Sequence, residues 1–120
     1  MGYTHYYEKS GMFHGSIPRI MGTRLDALFF GPDRMVLEDI WYKVVTEMER
    51  LHSMLNRFDP ASEISLLSKD AIHAPAGMSD ELWEILLECK KFHALTLGYF
   101  DITLTSFSEI LFDMDGRTIF

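Results

Sequence analysis

Hydrophobic residues recur every three or four positions along one long stretch of this chain, and the other segments are placed around it. Leu37, Ile40, Trp41, Val44, Val45, Met48, Leu51, Met54 and Leu55 form the stripe of an amphipathic helix that opens at Pro32-Asp33 and faces a core. The opposite face holds Glu38, Asp39, Lys43, Glu47, Glu49 and Arg50 and is solvated. Glu47 and Arg50, three apart, are placed to pair, for roughly a few tenths of a kcal/mol. His52 falls at the edge of the stripe.

Upstream the pattern is different. Residues 1–16 are rich in Tyr, His and Gly without a period, which predicts an arm, either mobile or packed on a partner. From Ile17 to Gly31, alternation around Ile20 and Met21 and the run Leu25, Ala27, Leu28, Phe29, Phe30 predict two strand segments joined at Gly22. A glycine in such a pattern marks a bulge or the close approach of another backbone or a ligand, and both readings stand.

Downstream, Pro60 turns the chain out of the helix near Asn56-Arg57-Phe58-Asp59. Asp59 is the expected cap of a short helix with Pro60 first and Ser62, Glu63, Ile64, Leu66 and Leu67 following. A second long helix is predicted after Ser79, with Asp80 and Glu81 in its first turn. It runs through Leu82, Ile85, Leu86, Cys89, Phe92 and His93 toward Leu95 and ends at Gly98. Ile102, Leu104 and Phe107 suggest extended structure. Asp113-Met114-Asp115-Gly116 reads as a hairpin turn into Thr118-Ile119-Phe120, so the chain ends inside a predicted strand that needs a pairing partner.

Composition narrows the class. The 120 residues, 48% hydrophobic and 24% charged, suit one globular domain, without internal repeats, low-complexity tracts or a Pro/Gly/Ser linker. Eighteen acids against eleven bases give a formal charge of −7, which disfavours nucleic acid and anionic membranes as partners. The single Cys89 precludes a disulfide framework and reads as a small buried apolar residue. No export signal, lipid anchor or membrane span is legible, so the expected location is cytoplasmic.

Local catalytic motifs are absent: there is no phosphate-binding glycine loop, no Gly-x-Ser-x-Gly and no His-Glu-x-x-His. The five histidines are scattered, and Asp113 with Asp115 reads as a turn rather than a cation site. Two helix boundaries combine aromatic and polar residues. One is Leu55 through Leu67, with Asn56, Arg57, Phe58, Asp59 and Ser62. The other is Thr96 through Thr103, with Gly98, Tyr99, Phe100 and Asp101. Such surfaces can stack a planar ring and bond its polar edge, or can simply be caps and core.

Taken in order, Met21-Gly22-Thr23, Phe58-Asp59-Pro60-Ala61-Ser62-Glu63-Ile64 and Thr96-Leu97-Gly98-Tyr99-Phe100-Asp101-Ile102-Thr103 resemble the N-terminal half of the ApbE family, the FAD:protein FMN transferases, from about Phe13 to Phe120. The resemblance implies an α+β fold, with helices packed on a mixed or antiparallel sheet, as an incomplete ApbE-like, T-fold-type portion occupying residues 17–120 behind the arm. It implies an enzyme that splits FAD and moves FMN onto a Thr or Ser hydroxyl of a target flavoprotein. Mg²⁺ would be its device for phosphoryl charge. By position, Met21 lies against the flavin, Phe58 stacks on it, and Tyr99, Phe100 and Asp101 hold its polar parts.

The departures also carry implications. Phe58 replaces a common Tyr, Ser68 a usual Asn, and Thr105-Ser106 and Leu111-Phe112-Asp113 stand where the family continues with Gly-Pro and Trp-Gly-Phe. The family's Asp-Leu-Gly-Gly, Lys-Gly and His-x-x-Asp-Pro segments and its metal ligands belong beyond Phe120, so this chain contains no catalytic or metal residue of that set. The expectation is a flavin-facing wall with weak or no FAD affinity and no transferase activity by itself. Two other roles remain compatible with the sequence: a non-catalytic protein-interaction or homodimerisation module, and a protein that only binds or stores FAD.

Overall fold

The computed structural model describes residues 2–74 and 76–103. The chain divides into two compact units, Met1–Ala76 and Gly77–Phe120, and the division falls in the short run Ala74-Pro75-Ala76-Gly77. The described residues give an α+β architecture of three antiparallel strands and three helices.

In the first unit β1 (Tyr3–Tyr7), β2 (Met12–Ile20) and β3 (Thr23–Phe30) form a meander in the order β1-β2-β3. The expected arm over residues 1–16 is therefore corrected: it is strand β1 and the first half of β2. Its register, Tyr3↔Ser16 through Tyr7↔Met12, comes from main-chain pairing. β1 has no apolar alternation because four of its five residues are exposed.

Side chains alternate across the pleat, so the register sorts the residues. Tyr6, Phe13 and Phe29 form one cross-strand row, with the Phe13 and Phe29 rings stacked at 6.2 Å. Against this face lies α1 (Arg34–Leu55). Phe13, Leu37 and Trp41 form the buried core, bordered by Ile17, Ala27, Val44 and Val45. Trp41 sits directly over Gly15, where an added Cβ would stand 2.5 Å from the indole. The close approach that a strand glycine signals is thus an indole at this position. The opposite face presents Tyr3, Tyr7, Leu28 and Phe30, each at least 45% exposed.

The α1 stripe is the expected one, although Ile40 lies outside its buried part. Asp33 caps the helix by accepting from the Met35 amide (3.0 Å). Glu47 and Arg50 pair at 2.6 Å on the outer face. The short helix is α2 (Glu63–Asp70), and its cap is Ser62 rather than Asp59. Ser62 Oγ accepts from the Ser65 amide at 3.2 Å, whereas Asp59 accepts from the Ala61 amide at 2.9 Å. Asp59 closes the turn that delivers Ser62 to the cap position.

The second unit contains α3 (Asp80–Leu95), capped by Ser79 as expected, with Leu82 fully buried. Cys89 is half-buried. Ile102 lies in a turn rather than extended backbone. The extended segment expected at Leu104 and Phe107 and the turn at 113–116 fall outside the described residues. Among the described residues no helix is long and apolar enough to cross a membrane.

Candidate functional site

An open cleft of about 680 Å³ lies at one end of the first unit, where the β2–β3 turn meets the end of α1. Ile20, Met21, Leu55 and Phe58 supply its apolar surface. Arg19, His52, Asn56 and Arg57 supply polar groups. This size and mixture suit a small-molecule ligand, since such pockets are mostly apolar with a few placed polar groups.

The turn is tight because Ile20 pairs with Thr23, leaving two residues between the strands, Met21 (φ 51) and Gly22 (φ 77). Positive φ at both central positions suits the right-handed twist of a hairpin. Gly22 adopts this conformation at no steric cost. Met21 is strained by about 1 kcal/mol or more. A register shift between Ile17 and Ile20 bends β2 immediately before the turn. The Met21 amide donates to His52 Nδ1 at 3.3 Å, so an acceptor from α1 holds the strained residue. A nitrogen that accepts carries no proton, which fixes His52 as the neutral Nε2–H tautomer in this arrangement.

Across the cleft the chain leaves α1 through two side-chain-stabilised turns. Asn56 Oδ1 accepts from the Phe58 amide (3.1 Å), and Asp59 Oδ1 accepts from Ala61. Phe58 is thereby held outward, 77% exposed, with the Arg57 guanidinium 4.0 Å from its ring centroid. One ring face lies under this cation, and a ring this exposed retains aromatic surface on which a planar ligand can stack.

The other expected site residues lie in the second unit, where α3 ends. Leu97 (φ 54) and Gly98 (φ 86) are both left-handed, and the Gly98 amide donates to the His93 carbonyl at 2.8 Å, closing the helix. Thr96 Oγ1 accepts from the Phe100 amide (2.8 Å). His93 Nδ1 donates to the Phe100 carbonyl (3.0 Å). Phe100 meets Phe92 edge-on at 6.0 Å, while Tyr99 is 91% exposed. Asp101 accepts from both the hydroxyl and the amide of Thr103 (2.6 and 2.9 Å), which hold its carboxyl below the usual carboxylate range.

Of the five residues expected at a site, Met21 and Phe58 line one cleft. Tyr99, Phe100 and Asp101 are not among its lining residues. The joint at Leu55–Arg57 is legible as a candidate from sequence, but Arg19, Ile20 and His52 are not. His52 meets the turn across 31 positions, a separation that local patterning does not report. Among the described residues no group of three His, Cys, Asp or Glu is placed to hold a metal ion.

Comparison with known proteins agrees with the motif order. Residues 21–117 match the ApbE family, beginning at the strained Met21. Over 72 residues the chain is 31% identical to the FAD:protein FMN transferase of Chlamydia muridarum (strain MoPn / Nigg), a stretch equal to 59% of this chain and 23% of that protein. This chain thus spans less than a quarter of its relative's length. No solved structure gives a significant match.

Proposed function

The chain belongs to the ApbE family, and on that premise we propose that it forms the flavin-facing part of an FAD:protein FMN transferase. In this reaction FMN passes from FAD to a Thr or Ser hydroxyl of a target flavoprotein and AMP leaves. The supporting observation is the convergence of Met21 and Phe58 on one cleft from positions 37 residues apart. The strained turn presents Met21, and the exposed ring of Phe58 offers a stacking surface. Tyr99, Phe100 and Asp101 are proposed as flavin contacts on the family pattern alone.

Mg²⁺ in this reaction would offset charge on the transferring phosphoryl group. Among the described residues no group of three His, Cys, Asp or Glu is placed to ligate it. This chain alone is expected to bind FAD weakly and to transfer none. The test is a titration followed by flavin fluorescence, paired with a transfer assay on a Thr-containing target peptide in Mg²⁺. Saturable quenching that weakens roughly 3- to 10-fold in Phe58→Ala, the worth of one aromatic contact, and survives in Phe58→Tyr supports a flavin wall. Transfer by this chain alone overturns the expected inactivity.

A second role, a non-catalytic interaction or dimerisation module, is favoured by the exposed apolar sheet face of Tyr3, Tyr7, Leu28 and Phe30. Concentration-dependent mass together with no saturable flavin binding would select it.

A further inference from the structure

Resting on the flavin reading of the cleft, we propose that His52 is a positioning residue whose neutral imidazole holds the Met21 turn against the site, and that protonating it releases that turn. Met21 is the one lining residue that combines positive φ with a side chain, a conformation that persists only where the surroundings fix it. Its amide has one acceptor, His52 Nδ1. An imidazolium is a donor at both nitrogens, so protonation replaces this hydrogen bond with two facing donors.

The charged groups that share the cleft with His52 are Arg19 from β2 and Arg57 from the loop after α1. Neither β3 nor α2 contributes a lining residue. On α1 itself, Glu49 lies one turn before His52. His52 is half-buried, and its role requires a fixed acceptor rather than packing volume. Asparagine at this position supplies such an acceptor without titrating, because its Oδ1 takes the place of Nδ1.

The experiment follows the Met21 amide by NMR in the ligand-free chain from pH 8 to pH 5, with His52 ring signals recorded in parallel, for wild type, His52→Asn and His52→Leu. The expected result is a Met21 amide that shifts and loses exchange protection in step with His52 protonation. In His52→Asn it stays protected across the range, and in His52→Leu it is unprotected throughout. FAD affinity should follow the same order. It should be about fivefold weaker in His52→Leu at pH 8, the factor that one hydrogen bond of ordinary net strength is worth, and pH-independent over this range in His52→Asn. A Met21 amide indifferent to His52 protonation, or a His52→Leu chain with wild-type protection and pH dependence, overturns the proposal. A wild-type chain that binds no flavin at any pH while Met21 still follows His52 overturns the flavin reading and supports the hold on the turn.

Discussion

Tyr3, His14, Asp26 and Arg24 show how single residues order the open face of the sheet. The Tyr3 hydroxyl lies 3.2 Å from His14 Nδ1, His14 Nε2 lies 2.8 Å from Asp26, and Arg24 Nε pairs with Asp26 at 2.7 Å. A carboxylate only accepts, so His14 Nε2 carries the proton and Nδ1 is left to accept from Tyr3. Hydrogen bonds from Arg24 first and His14 second hold the Asp26 carboxyl at about 2, below its ordinary 3.8. A carboxyl depressed in the folded state contributes stability that is complete above its unfolded value and is lost as pH falls toward the folded one. The stability difference between wild type and Asp26→Asn should therefore be constant above about pH 5 and shrink between about pH 4 and pH 2. Urea unfolding across that range measures it, and a difference that stays constant down to pH 2 would contradict the network. The exposure of the group keeps the effect small.

At the scale of elements, the contact between β2 and α1 depends on a missing side chain. Gly15→Ala drives a methyl into the Trp41 indole, whose three nearest carbons lie at 2.5–2.6 Å, and overpacking of this kind costs roughly 1–3 kcal/mol. Pairing it with Trp41→Phe, a smaller ring, should recover part of the loss in thermal unfolding. Equal destabilisation with and without the ring change would place the cost elsewhere. Elements with a periodic signal were legible in the sequence: α1 from its stripe, α3 from Ser79, and, from Ile17 onward, the two strand segments on either side of Gly22, although the pattern assigns the first half of β2 to an arm and the glycine to a bulge or close approach rather than a hairpin turn. β1 was not, because a strand with four exposed residues carries no alternation and is defined by its partner. The α2 cap was displaced because Asp59 and Ser62, three apart, are both competent caps, and only the Asp59 turn decides between them. In the cleft, Phe58 and Met21 were reached through motif order, whereas His52 acts through a hydrogen bond that only the folded chain creates.

For the whole molecule, two features oppose one another. The net charge of −7 makes copies of the chain repel, while the sheet face of the first unit exposes Leu28 at 56% and Phe30 at 69% beside Tyr3 and Tyr7. Exposed apolar side chains of this kind favour association where they outweigh the polar groups, His14 and Asp26 among them, that share the face. Charge repulsion is screened over about 10 Å at 0.1 M salt and about 3 Å at 1 M, whereas apolar burial is not weakened by screening. Association through the sheet face should therefore strengthen as salt rises from 0.05 to ~0.5 M, which sedimentation equilibrium reads directly as weight-average mass. Leu28→Lys places a charge at the β3 end of the row His5↔His14↔Leu28 and should abolish the effect while leaving the fold intact, because this side chain faces away from the Phe13–Trp41 core. Mass that falls with added salt would mean that ion pairs hold the copies together. Mass unchanged by Leu28→Lys would move the contact off the sheet. Flavin affinity in the same variant gives an independent check, since the cleft is lined from β2, the turn and the end of α1 without Leu28. An unchanged affinity alongside lost association would separate the sheet face from the cleft as two surfaces with different work.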